Sequence, residues 1–201
     1  MDRTIINFEV PKKTADDVEE FLLSTRTDWL YHTETVFKNS QQDYQSRFNF
    51  TNKIADFNIV EKYWFHKPVL KIDHKNSKEI REDYILGILK PLQDYIAIEV
   101  IKKPVSLKRI FINMFLHSSD ENAIAHPHLD SEFENILSCI YYVNDTSGDT
   151  VLFNDDKSVL KRISPKKGTG VLFDANILHA GCFPKDENKP RIIINFIFVY
   201  I

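Results

Sequence analysis

The spacing of hydrophobic positions changes about halfway along this 201-residue chain. In the first part it is helical. Val18, Phe21, Leu22 and Thr25 recur at three- and four-residue steps behind Thr14, an N-cap candidate with Asp17 three residues on, and this predicts a first helix. Ile80, Tyr84, Ile85, Ile88, Leu89 and Leu92 share one face of a second helix starting near Ser77, with a break or restart at Pro91. Between them, Gln41 to Lys67 is aromatic and polar without a period. A strand near Arg47–Phe50 and a short helix after Asn52 are the expectations there.

From about Tyr95 the pattern becomes short apolar runs separated by turn chemistry. Strands are expected over Tyr95–Ile101, Arg109–Leu116, Ile136–Val143, Thr150–Phe153, Val159–Ile163, Gly170–Phe173, His179–Cys182 and Arg191–Tyr200. The separators are rich in residues that favour turns: Asn144 to Asp149, Asn154 to Lys157, Pro165 to Gly168, and Pro184 to Pro190. Eight short strands that close on themselves, led by helices, predict a mainly β protein with N-terminal helices (α+β). Its architecture would be a double-stranded β-helix, a jelly-roll or cupin-like barrel. The length suits one domain, with residues 1–94 as helical or mixed support and residues 95–201 as the β core.

Composition narrows the function classes. The chain has only five glycines, and four of them (Gly148, Gly168, Gly170, Gly181) fall in the C-terminal part, so Gly-rich phosphate cradles and glycine linkers are excluded. A net charge of −3 without long charge blocks argues against a dedicated nucleic-acid binder. Two cysteines, Cys139 and Cys182, make no disulfide framework and suit a reducing, cytoplasmic setting. No apolar run approaches the ~18 residues of a membrane span, and Met1-Asp2-Arg3-Thr4 does not open a signal peptide, so no membrane partner is expected. Lys161-Arg162 and Lys166-Lys167 read as a solvated rim able to attract an acidic substrate.

Candidate chemistry gathers on three residues. His128 and Asp130 are spaced i, i+2, which on an extended chain puts imidazole and carboxylate on one side. His179, from a distant strand, would complete a face of two histidines and one carboxylate, the set that binds non-haem Fe(II) and leaves other positions open. A lone His-x-Asp pair carries little by itself. Its context is Cys139 to Asn144, then Gly148 to Phe153, then Pro165 to Asp174 shortly before His179, with Arg191 opening the last strand.

This ordered set, over roughly Arg109 to Tyr200, resembles the 2-oxoglutarate- and Fe(II)-dependent oxygenases, and among them the prolyl 4-hydroxylase-like branch. The resemblance implies His128, Asp130 and His179 as iron ligands. It implies that Arg191 pairs with the distal carboxylate of 2-oxoglutarate, a task suited to a planar, permanently charged fork, and that the Tyr142 hydroxyl shares that carboxylate. The implied activity is hydroxylation of an unactivated C–H, of a prolyl residue in a peptide or protein or of a small molecule. Fe(II), 2-oxoglutarate and O2 are the implied cofactors, with ascorbate as an accessory reductant.

Strand alternation adds two pocket candidates. If Arg191 points inward, so should Ile193, Asn195 and Ile197, and an inward Asn195 needs a polar partner such as co-substrate or metal-bound water. The same parity groups Arg109, Phe111, Asn113 and Phe115, making Asn113 a second wall residue. A cupin-type metalloprotein without 2-oxoglutarate turnover would instead use His126, His128 and Glu132, and a non-catalytic binding module on the same barrel would bind neither. His126 is expected at the pocket mouth and Glu132 in solvent. His32, His66, His74 and His117 have no ligand-spaced partner. Substrate-gripping loops are expected near Phe65–Asn76 and Ser118–Ala125.

Overall fold

In the computed structural model, residues 3–24, 29–32, 53–59, 64–72 and 79–201 are described. Strand β1 (Ile5–Glu9) leads into helix α1 (Lys12–Leu23). Then come β2 (Leu30–His32), β3 (Lys53–Ile54), β4 (Phe57–Ile59), β5 (Trp64–Ile72), β6 (Glu79–Arg81) and helix α2 (Asp83–Tyr95). A π-helical turn, Ile96–Ile101, precedes β7 (Val105–Phe115), β8 (Ala123–Ile124), β9 (Ile136–Tyr142), β10 (Thr150–Phe153), β11 (Val159–Ile163), β12 (Thr169–Asp174), β13 (His179–Gly181) and β14 (Arg191–Tyr200).

The strands form two facing layers. The larger sheet runs β1-β12-β9-β14-β7-β5-β2, with β6 paired to β5, and its central strands β12, β9, β14 and β7 are antiparallel. Opposite it lie β11-β10-β13 and β3-β4-β8. Two isolated bridges, Ile124↔Cys182 and His128↔His179, stitch the end of β8 and the chain after it onto β13 and its next residue, joining these into a second layer. This is the double-stranded β-helix expected from the strand spacing.

Strand parity sorts the core. Ile192, Ile194, Phe196 and Phe198 of β14 pack outward with Val18, Leu22, Leu89 and Leu92 of the two helices. Ile193 faces inward with Phe115, Ile140, Tyr142, Val171 and Phe173. The helices therefore roof one face of the larger sheet and leave the other to the interior of the barrel. Lys167, in the turn before β12, pairs with Asp16 at 2.7 Å and Glu19 at 2.5 Å, so this part of the expected basic rim braces α1. Arg162 likewise pairs with Asp149 at 2.8 Å.

Several N-terminal expectations need correction. Helix α1 starts at Lys12, after Pro11, and Thr14 lies inside it. Asp17 pairs backward with Lys13 at 2.7 Å, an i, i+4 bridge, and does not serve a capping box. Residues 79–81, expected in the second helix, pair with β5 as a strand, while Ser77 lies outside the described residues. Pro91 does not break α2: it forfeits one bond, to the carbonyl of Gly87, and the helix runs on. The run Ile96–Ile101, expected as a strand, continues the helix with a wider turn. Its buried residues Ile96 and Ile101 are five apart, which fits a π period, and a short apolar run cannot be assigned by periodicity alone. The short helix expected after Asn52 is replaced by the hairpin β3–β4, and Arg47–Phe50 lies outside the described residues. Strand β1 has no counterpart in the sequence reading. No helix among the described residues is long and apolar enough to cross a membrane.

Candidate metal centre and co-substrate pocket

His128 and His179 face each other across a closely hydrogen-bonded antiparallel pair. The His128 amide donates to the His179 carbonyl at 2.9 Å, and the His179 amide returns the bond at 3.0 Å. Their rings are consequently neighbours, with centroids 4.5 Å apart. Each Nδ1 lies close to a backbone carbonyl two residues earlier: His128 to His126 at 3.0 Å, and His179 to Ile177 at 2.9 Å. A carbonyl can only accept, so Nδ1 carries the proton in both rings and Nε2 keeps a free lone pair. Asp130 completes the group, its amide bonded to the Ala175 carbonyl at 3.0 Å and one carboxylate oxygen 3.5 Å from His179 Nε2. The ligand-capable atoms of His128, Asp130 and His179 all lie within 4.8 Å of one another.

The electrostatics favour the metal-binding forms. Burial pushes the His179 pKa down to about 4, aided by His128 against the opposing pull of Asp130, so the ring is neutral at neutral pH. Burial works to raise the Asp130 pKa, yet the Arg109 guanidinium and the Ser138 hydrogen bond hold it well below the usual carboxylate range. The neutral His179 imidazole, a second histidine and one ionised carboxylate make a donor set that suits non-haem Fe(II). Glu132, by contrast, is exposed, and among the described residues the cluster contains neither it nor His126. His126 is buried, not at a pocket mouth, and its carbonyl orients His128.

Arg191, which opens β14, is completely buried. Nη2 donates to Thr150 Oγ1 at 2.8 Å, while Nε and Nη1 have no hydrogen-bond partner among the described residues. The Tyr142 hydroxyl donates to the same Thr150 oxygen at 2.8 Å, and the guanidinium carbon lies 5.1 Å from the Phe115 ring centroid. Burial raises the Tyr142 pKa to about 12 even beside Arg191, so its hydroxyl remains a donor. A buried guanidinium with two idle donors is costly unless an anion joins it. Glycine makes the cradle possible. A Cβ at Gly181 would sit 2.8 Å from Arg191 Nη1, and one at Gly148, where φ is +96°, would meet the Cys182 carbonyl at 2.7 Å and Arg191 Cδ at 3.1 Å. A carboxylate such as one end of 2-oxoglutarate fits these donors.

Asn113 and Asn195 lie on the inward face between the two ends. Asn113 sits opposite Ile193. Asn195 donates to an Asp130 oxygen at 2.9 Å, so its amide nitrogen is satisfied by the carboxylate, not by co-substrate or water, while Oδ1 stays unpartnered among the described residues. Sequence reasoning missed Thr150, Ser138 and the contact of Arg109 with Asp130. The parity that exposed Asn195 also placed Arg109 inward, but only the three-dimensional register shows which ligand it meets.

Residues 109–199 match the family model described as the 2OG-Fe(II) oxygenase superfamily. No curated protein matches the chain. Among solved structures, the fold is similar to a prolyl hydroxylase in complex with a hypoxia inducible factor oxygen degradation domain peptide fragment, from Trichoplax adhaerens. That match has TM-score 0.57 and 13% identity, and covers 98% of this chain and 83% of that one. It is also similar to AviO1 from Streptomyces viridochromogenes Tue57, with TM-score 0.55, 10% identity, and 98% and 90% of the two chains covered. An oxidoreductase of the 2OG-Fe(II) oxygenase family from Burkholderia pseudomallei gives TM-score 0.54, 12% identity, and 96% and 94% coverage. The stretch similar to the 2OG-Fe(II) oxygenase superfamily, a little under half of the chain, carries all three residues of the His128, Asp130 and His179 donor set.

Proposed function

We propose that the protein hydroxylates an unactivated C–H, that of a prolyl residue in a peptide or protein, with His128, Asp130 and His179 holding Fe(II) and Arg191 holding 2-oxoglutarate. The carrying observation is the inward face of β14. Arg191, with two idle donors, stands at one end, and Asn195, bonded to Asp130, stands four residues on. Four residues of strand span on the order of 13 Å, room for a five-carbon dicarboxylate reaching from the guanidinium to the metal ligands.

In this reading Arg191 takes one carboxylate in a charge-assisted pair while Thr150 accepts from its Nη2; the Tyr142 hydroxyl, expected on that carboxylate, donates to the same Thr150 oxygen instead. Asn113 and Asn195 line the channel between the ends. The Nε2 atoms of the histidines would hold the metal, their Nδ1 atoms being engaged with backbone carbonyls. When bound, Fe(II) supplies the oxidation in which O2 and 2-oxoglutarate yield succinate, CO2 and a hydroxylated substrate. The chain's own task is to hold the reactants in register and exclude water. Two buried free cysteines suit a cytoplasmic site of action. We further infer one domain, with residues 1–94 bracing the barrel.

A peptide substrate is favoured by the match to a prolyl hydroxylase solved with a peptide. The test is O2-dependent conversion of 2-oxoglutarate to succinate with Fe(II), run with and without proline-containing peptides and followed by mass spectrometry. Peptide-stimulated turnover with a 16-dalton gain on proline is expected. Succinate formation that no proline peptide stimulates, with stimulation by another substrate class, would contradict the prolyl assignment.

A further inference from the structure

Asp130 is the member of the triad that lies on neither β13 nor a strand bridge, yet its side chain is only 3% exposed. What fixes its carboxylate comes from the larger sheet. Arg109 on β7 donates from Nη2 to Oδ1, Ser138 on β9 donates to Oδ2 at 2.5 Å, and Asn195 on β14 donates to Oδ2 at 2.9 Å. These strands are consecutive, and Arg109 and Ser138 both stand in register with Ile197, on either side of it. The three donors therefore converge on one carboxylate from a single patch of sheet and grip its two oxygens separately.

Ser138 and Asn195 are neutral donors, while Arg109 brings a full charge. Its own orientation is set by Phe111, whose ring centroid lies 4.8 Å from the guanidinium carbon. A carboxylate held at one oxygen only can rotate and offer a metal either oxygen or both. Held at both, it has one plane. We propose that Arg109 is a positioning residue of the metal centre: by gripping Oδ1 it fixes the orientation in which Asp130 meets the ion. The proposal rests on the reading that His128, Asp130 and His179 hold the metal. Groups that orient a ligand from behind are worth about 10–100-fold in metal affinity.

The probe is Co(II), titrated into the 201-residue protein after chelation and dialysis, because its visible d–d bands report ligand geometry. Arg109→Gln is expected to weaken Co(II) binding about 10–100-fold and to change the band shape. Arg109→Lys, which keeps a charged donor on the same strand, should recover most of the affinity. A purely structural role would lower the melting temperature but leave the bands of the bound ion unchanged. Native affinity and native bands in folded Arg109→Gln protein overturn the proposal. If that variant does not fold, Phe111→Leu carries the test, since it keeps Arg109 and removes the ring beneath it. A shifted spectrum is then expected, and native bands with native affinity overturn the proposal. Failure of the native protein to bind Co(II) overturns the metal assignment itself and this proposal with it.

Discussion

Replacing Arg191 by Met separates what the buried guanidinium does for binding from what it does for folding. The side chain is fully buried, it forms one hydrogen bond, to Thr150, and among the described residues no carboxylate pairs with it. Hydrogen bonds to charged groups contribute about 1.5–3 kcal/mol each, so a two-bond pair with a co-substrate carboxylate contributes about 3–6 kcal/mol. Loss of at least about hundredfold in 2-oxoglutarate affinity follows. For the fold the sign differs. Removing an unpaired buried cation is neutral or stabilising by about 1–4 kcal/mol, against about 1 kcal/mol for the lost Thr150 bond, and Met refills the space beside Phe115. Calorimetric titration of 2-oxoglutarate into the metal-loaded variant, with thermal melts alongside, should show weak binding and an unchanged or raised melting temperature. Co-substrate affinity within threefold of native would refute the assignment of Arg191.

Other perturbations should leave distinct signatures. Gly181→Ala places a methyl 2.8 Å from Arg191 Nη1, so the guanidinium must shift, and about a tenfold loss of 2-oxoglutarate affinity with Fe(II) binding intact is expected in the same titration. Tyr142→Phe removes one donor to Thr150, leaving Arg191 in place, and should cost about 1 kcal/mol, near fivefold, in co-substrate binding. The acid response follows from His179, whose pKa falls from 6.5 in the unfolded chain to about 4 in the fold. The unfolded state binds the extra proton in that window, so this contribution to stability is complete above pH 6.5 and is lost as pH drops toward 4, by about 3 kcal/mol in chelator-treated protein. Urea midpoints at pH 7, 5.5 and 4.5 measure it, and His179→Gln should flatten the slope; an equally steep slope in that variant would show that another group is responsible.

The C-terminal strands were legible because each is short, apolar and bounded by turn residues, and six of the eight expected ranges agree with the observed ones to within about two residues at either end. The largest miss at their N-terminal edge, Ile96–Ile101, shows the limit of pattern: six mostly β-branched residues look like a strand until the preceding helix propagates through them. Strand β1 was invisible because it is half exposed, and its place is set by pairing with β12 some 160 residues away. That His128, Asp130 and His179 come together was readable, since spacing and order carry it. What holds Asp130 was not. Arg109 lies 21 residues before it and Asn195 lies 65 after, and no local rule joins them without the register of β7 on β14. The same applies to Thr150, whose hydroxyl links Arg191 and Tyr142 only once β10 and β14 are stacked.

The most direct test of the central claim is an anaerobic titration of the 201-residue protein with Fe(II) and then 2-oxoglutarate, followed by visible absorption. A metal-to-ligand charge-transfer band should grow with saturation at one equivalent of each. It should be absent in His179→Ala and should require far more 2-oxoglutarate in Arg191→Met. No band in folded native protein carrying bound Fe(II) would contradict the account.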